Sequence, residues 1–186
     1  MDRPLIDSDI RDELLHNFNG FKLDGDRFLI YILPGNPGLI SFYEPFAVAL
    51  KRELQQLPAT SELTAIIGGK SYRGFEISSA DLSAAKGPLG LAETVVTAED
   101  DLESLVGSLP ATAKKTKIIL LGHSVGAYIV MELLRRQAER DKREEIDIIG
   151  GIMVCPTITH VAKSRTGRIL SVRVWLFIFA TPVIPI

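Results

Sequence analysis

Apolar positions along this chain fall into short unbroken runs separated by stretches with helical spacing. RFLIYIL, residues 27–33, is a strand-length apolar run that stops at Pro34-Gly35-Asn36-Pro37-Gly38, which predicts a buried strand entering a tight loop. In FYEPFAVALKRELQQL, Phe42, Phe46, Ala49, Leu50 and Leu54 recur as on one helix face. Ser41 is placed to cap that helix, and Pro45 falls in its first turn, where a missing N–H is tolerated. Residues 63–67 form a second apolar run ending at Gly68-Gly69, and the stretch up to Gly90 has the polar character of a surface loop. Residues 91–109 return to helical spacing, with Glu99, Asp100, Asp101 and Glu103 expected on a solvated face. KIILL, residues 117–121, predicts a third buried strand, and residues 124–140 a helix packing through Tyr128, Met131 and Leu134. A charged turn then leads into a strand-like run at residues 146–154. Before Arg27 there is room for one or two weak elements.

Buried strands separated by helix-length segments imply right-handed crossovers. The expected fold class is therefore α/β, a mostly parallel sheet with helices on both faces. A length of 186 residues fits one domain, with no internal repeat. Hydrophobic residues at 46% and charged residues at 24% are globular proportions. Lysine and arginine (21) nearly balance aspartate and glutamate (23), and no basic stripe could neutralise a run of phosphates, so nucleic acid is not an expected partner. Cys155 is the single cysteine, which excludes an intramolecular disulfide and a thiolate-rich zinc site, and points to a reducing or indifferent compartment. The first 20 residues lack the basic start and apolar run of a signal peptide.

The chemistry gathers after KIILL. Gly122-His123-Ser124-Val125-Gly126 matches G-x-S-x-G between a predicted strand and a predicted helix, the context that the nucleophile elbow requires. Glycines let a serine occupy a strained turn with close backbone neighbours, and the helix start places free N–H groups where negative charge would develop. Ser124 is thus the expected nucleophile. A glycine-rich turn with a capping serine would leave the same five letters; the preceding strand and the earlier loop favour the elbow. That loop, PGNPG, has the order and place of an oxyanion loop. Proline carries no N–H, so the expected oxyanion donors are the backbones of Asn36 and Val125. No metal and no organic cofactor is implied.

PGNPG followed by Phe42-Tyr43-Glu44-Pro45-Phe46, and then by Leu121-Gly122-His123-Ser124-Val125-Gly126-Ala127-Tyr128, resembles the lipid droplet-associated hydrolases, a branch of the α/β-hydrolase superfamily. Cys155-Pro156-Thr157-Ile158 and Ser164-Arg165-Thr166-Gly167-Arg168 are similar to later segments of that family. The resemblance runs over about residues 29–175. It implies an α/β-hydrolase fold, incomplete at the C-terminus, as a single partial domain over residues 1–186. It also implies a serine hydrolase of lipid (acyl or sterol) esters on lipid droplets and the endoplasmic reticulum, facing the cytosol. The implied partners are a lipid ester substrate and a droplet monolayer or membrane surface.

A complete triad is not expected. Carboxylates after Ser124 are Glu132, Glu139, Asp141, Glu144, Glu145 and Asp147, all in the next helix or the charged segment behind it, and residues 148–186 contain none. His16 sits in the polar lead-in and is expected to be solvated. His123 is expected to pack sideways beside the serine. His160 follows the last strand and could face Ser124, but no acid stands near it in sequence. The resemblance implies an acid and a histidine in a C-terminal half that this chain does not contain.

Residues 169–186, ILSVRVWLFIFATPVIPI, approach the ~20 apolar residues of a membrane span, but Arg173, Pro182 and Pro185 oppose a clean one. Trp175 to Phe179 are apolar on every helix face, which favours a shallow lipid-surface anchor over a cap covering the site. The rival to an esterase is accordingly a catalytically silent fragment that binds droplet or membrane surfaces.

Overall fold

A computed structural model describes residues 13–17, 26–56, 63–75, 89–110, 115–139 and 146–157. All but Thr157 belong to Met1–Pro156, one of two units into which contacts divide the chain. The elements are β1 (Glu13–Asn17), β2 (Asp26–Leu33), a 3-10 turn (Ile40–Tyr43), α1 (Glu44–Gln55), β3 (Leu63–Lys70), α2 (Leu91–Ser108), β4 (Lys117–His123), α3 (Val125–Glu139) and β5 (Asp147–Val154).

The described strands form one sheet in the order β1-β3-β2-β4-β5. β2 pairs parallel with both β3 and β4, and β4 pairs parallel with β5. β1 runs antiparallel to β3, so the lead-in supplies an edge strand. The continuous apolar runs are explained by burial on two faces. Leu29, Tyr31 and Leu33 face the layer of α2 and α3, where Val95, Leu102, Ile118, Leu120 and Ile129 complete the core. Ile32, Ala65, Ile67 and Leu121 face the other way, toward Ile40 and Ala47 of the 3-10 turn and α1. The expected α/β fold, mostly parallel with helices on both faces, is the one observed.

Three local expectations are corrected. Ser41 does not cap a helix: it lies within the 3-10 turn, and α1 begins after Tyr43 without a side-chain cap. The Ile40 N–H is instead satisfied by the Ser71 hydroxyl at 3.1 Å. β3 runs through Gly68 and Gly69 to Lys70, because a Cβ on Gly69 would stand 2.6 Å from Ile40 Cδ1 and only a residue without one fits under the turn. The acidic cluster of α2 is not all solvated. Asp101 is only 9% exposed and pairs with Lys70 at 3.2 Å and Arg73 at 3.6 Å, while Glu99 pairs with Arg136 of α3 at 2.8 Å.

At the N-terminal ends of the parallel strands, buried Arg27 of β2 donates through Nε to the Thr116 hydroxyl at 2.7 Å and through a terminal nitrogen to the Pro110 carbonyl. This guanidinium ties β2 to the segment between α2 and β4. At the opposite, C-terminal ends lie the loop at residues 34–38 and the bend at Ser124, where ligands bind in open α/β sheets.

Candidate active site

The bend after β4 exists because two glycines permit it. A Cβ on Gly122 would stand 2.5 Å from the Gly126 carbonyl oxygen. A Cβ on Gly126 would fall on the Leu33 carbonyl oxygen, so the first turn of α3 rides directly on the end of β2. Between them Ser124 takes a left-handed conformation, φ 53°, which a side chain normally avoids. Its N–H donates to the Val154 carbonyl of β5 at 3.0 Å, and its carbonyl accepts the Ala127 N–H at 3.1 Å. Val125 is the first residue of α3, so its N–H is one that helix geometry leaves without an intrahelical acceptor.

The loop after β2 is folded onto this bend. Gly38 N–H donates to the Gly35 carbonyl at 2.7 Å, closing a four-residue turn with a cis Asn36–Pro37 bond. Tyr72 holds both sides of the loop: its hydroxyl donates to the Pro34 carbonyl at 2.7 Å, and its N–H to the Gly38 carbonyl at 2.9 Å. Gly38 needs its missing Cβ, since φ is 90° and a Cβ would lie 2.8 Å from the Tyr72 ring. Gly35 needs its own because a Cβ would be 2.7 Å from His123 Nδ1 and 3.0 Å from Ser124 Cβ.

Tyr43, at the end of the 3-10 turn, completes the junction. Its hydroxyl accepts the Gly35 N–H at 2.7 Å and lies 2.7 Å from His123 Nδ1. The two rings meet edge-on, with centroids 5.9 Å apart and planes at 61°. Burial pushes the Tyr43 phenol above its ordinary range, partly offset by the Gly35 N–H. A cavity of about 370 Å³ opens here, lined on its apolar side by Phe42, Phe46, Leu121 and Val154 and on its polar side by Asn36, Tyr43 and His123.

Ser124, Val125 and the loop that carries Asn36 thus meet at one end of the sheet. Ser124 and Val125 are half-buried, and Asn36 is exposed in the loop. Among the described residues, none of the carboxylates that follow Ser124 joins them, and Asp141, Glu144 and Glu145 lie outside the described residues. His16 belongs to β1, and β3 and β2 lie between it and β4. His123 packs sideways as expected, against Tyr43. Glu132 and Glu139 are engaged by Arg135, and the bonds from Arg135 and Arg136 hold the Glu132 carboxyl down to about 2. Asp147 begins β5 opposite Lys117, at the far end from the serine. His160 and residues 169–186 lie outside the described residues. Among the described residues no group of three or more histidine, cysteine or acidic side chains could hold a metal ion, and no helix is long and apolar enough to cross a membrane. Neither Tyr43 nor Tyr72 stands out in the sequence on its own; the one signal for Tyr43 is a phenol eight residues after Gly35.

A left-handed serine on a glycine-flanked turn from parallel strand to helix, with the loop of the adjacent strand folded against it, defines an α/β-hydrolase-type elbow. Sequence comparison carries this further: the chain belongs to the lipid-droplet associated hydrolase family, whose profile matches residues 26–185. It is 30% identical over 146 residues to the lipid droplet-associated hydrolase of Gallus gallus, covering 78% of this chain and 41% of that protein. Similarity to the Homo sapiens protein of the same name is 31% over 168 residues, 82% of this chain and 44% of the relative. The Drosophila melanogaster protein is 25% identical over 148 residues, 78% of this chain and 44% of the relative. The chain therefore spans less than half the length of these curated relatives.

Proposed function

We propose that this chain carries the nucleophile and oxyanion half of a serine hydrolase acting on lipid esters, acyl or sterol. The observation that carries this is Ser124 at φ 53°, held between Gly122 and Gly126 with Gly35 against its Cβ. In this reading the Ser124 oxygen attacks the ester carbonyl, its proton passes to a general base, and the tetrahedral oxygen is held by the N–H groups of Asn36 and Val125. Collapse expels the alcohol, which takes up a proton, and leaves an acyl-serine that water hydrolyses. The Ser124 N–H is already committed to Val154, which agrees with taking the donors from Asn36 and Val125 rather than from the serine itself. In this reading the base is neither His16, whose strand β1 is separated from β4 by β3 and β2, nor His123, which would carry its proton on Nε2 when Nδ1 accepts from Tyr43.

The apolar side of the cavity suits an acyl chain or sterol ring better than a charged substrate, as Phe42, Phe46, Leu121 and Val154 offer nothing to solvate a charge. We place the activity at the droplet or endoplasmic-reticulum surface, on the cytosolic side. The family's association with droplets and the exposure of Phe42 (66%) and Phe46 at the cavity support a lipid surface as partner. Those exposed side chains also favour the second reading, a silent lipid-binding chain, in which residues 169–186 would add an anchor.

A fluorophosphonate probe separates the two. Labelling of the full-length protein that disappears in Ser124→Ala supports the hydrolase; no labelling with intact droplet flotation supports the silent binder. Flotation that is unchanged without residues 169–186 removes the anchor.

A further inference from the structure

We propose that Tyr43 is a positioning residue that aims the Asn36 N–H and couples it to the serine bend; this rests on the hydrolase reading above. Three segments meet at its hydroxyl: the loop after β2 through Gly35, the turn before α1 through Tyr43 itself, and, 80 residues further on, the end of β4 through His123. The Gly35 N–H can only donate, so the phenol oxygen accepts there, and in this proposal the single phenol hydrogen goes to His123 Nδ1. His123 then accepts at Nδ1 and carries its proton on Nε2. Burial of the phenol keeps that hydrogen in place.

Gly35 is thereby held at both ends. Its N–H is fixed by Tyr43, and its carbonyl accepts the Gly38 N–H at 2.7 Å. The Gly35 carbonyl and the Asn36 N–H share one planar trans peptide and point in opposite directions, so fixing the carbonyl fixes the line of the N–H. Glycine has little intrinsic preference for any one orientation of the peptide that follows it. Without the Tyr43 anchor only the Gly38 N–H would hold this peptide, and rotation at Gly35 would turn the Asn36 N–H away from the developing oxyanion. His123 is the neighbour of Ser124, so the same hydroxyl sets the distance between the N–H and the nucleophile. Tyr43 touches none of the reacting atoms in this scheme.

The test is Tyr43→Phe in the full-length protein, which removes one oxygen and keeps the ring. With a p-nitrophenyl acyl ester, kcat is expected to fall about 10- to 100-fold, the scale of a misplaced catalytic group, while KM changes by less than about threefold. Fluorophosphonate labelling of Ser124 should slow in step with kcat. Imidazole ¹⁵N spectra of the wild type should show His123 protonated on Nε2 alone, and Tyr43→Phe should mix the two tautomers and speed hydrogen exchange at Gly35. Neither readout depends on turnover; the tautomer change would not follow from a general loss of stability, and the exchange at Gly35 counts only where it exceeds that at core amides such as Leu29. Wild-type kcat and labelling in Tyr43→Phe overturn the proposal while leaving the hydrolase reading intact, as does a change confined to KM. A wild type that shows the His123 signature but never labels at Ser124 overturns the hydrolase reading, and the positioning role with it.

Discussion

The Ser124 nitrogen and the Val154 carbonyl oxygen lie 3.0 Å apart, and this hydrogen bond ties the bend after β4 to the last residue of β5. Immediately beyond Val154 the chain takes a second left-handed step at Cys155, φ 46°. A β-branched residue is poorly tolerated there. Cys155→Val should lower stability by about 1–2 kcal/mol in urea unfolding, and Cys155→Gly should be neutral or stabilising by no more than about 1 kcal/mol.

Gly126 and Gly35 are expected to fail differently when given a methyl group. On Gly126 the new Cβ meets backbone, the Leu33 carbonyl, which cannot swing aside, so Gly126→Ala should cost at least about 2 kcal/mol. On Gly35 the first atom met is His123 Nδ1 at 2.7 Å, a side-chain ring atom, and the nearest backbone atom, the His123 carbonyl oxygen, is further off at 3.2 Å. Gly35→Ala should therefore cost less stability, about 1 kcal/mol, while displacing His123 from Tyr43 and slowing probe labelling at Ser124. Parallel thermal melts and labelling time courses distinguish the two patterns.

Asp101 is buried, but both of its cations are partly exposed, which limits its value. Asp101→Asn keeps the shape and loses the charge; the expected loss is about 1 kcal/mol. The difference from wild type should narrow in about 1 M salt, where the screening length falls to ~3 Å. An unchanged difference would mean that packing, not charge, holds the position.

Three tyrosines make the fold sensitive to alkali. Burial raises the phenols of Tyr31, Tyr72 and Tyr43, with Asp101 and Glu13 adding to the shift at Tyr31. The folded protein holds these protons more tightly than the unfolded chain, whose phenols titrate near 10. Stability is then flat below that value and falls as pH rises through the higher folded values. Urea midpoints from about pH 9 to 11 should show the decline, and Tyr31→Phe should make it shallower.

The parts of the fold that could be read in advance are those where one segment decides its own fate. After their leading Arg27 and Lys117, RFLIYIL and KIILL are apolar because both of their faces are covered, and the strand-to-helix bend is encoded by glycines within four residues of each other. What escaped depends on partners far along the chain. Asp101 turns inward because Lys70 and Arg73 come from another strand and its following turn, and Glu99 because Arg136 reaches it from α3. Ser41 looks like a cap, but the N–H next to it is satisfied by Ser71, 31 residues from Ile40. Tyr43 acquires meaning only when Gly35 and His123 are brought to it, a conjunction that no local pattern announces.

Arg27 gives a practical separation. Its bonds to Thr116 and Pro110 sit at the base of the strands, a full strand length from the serine. Weakening that grip would loosen the scaffold without retouching the reactive end, so an Arg27 variant serves as a yardstick for ordinary fragility. Damage near Ser124 that exceeds what such a variant produces at equal loss of folding free energy can be attributed to the chemistry itself.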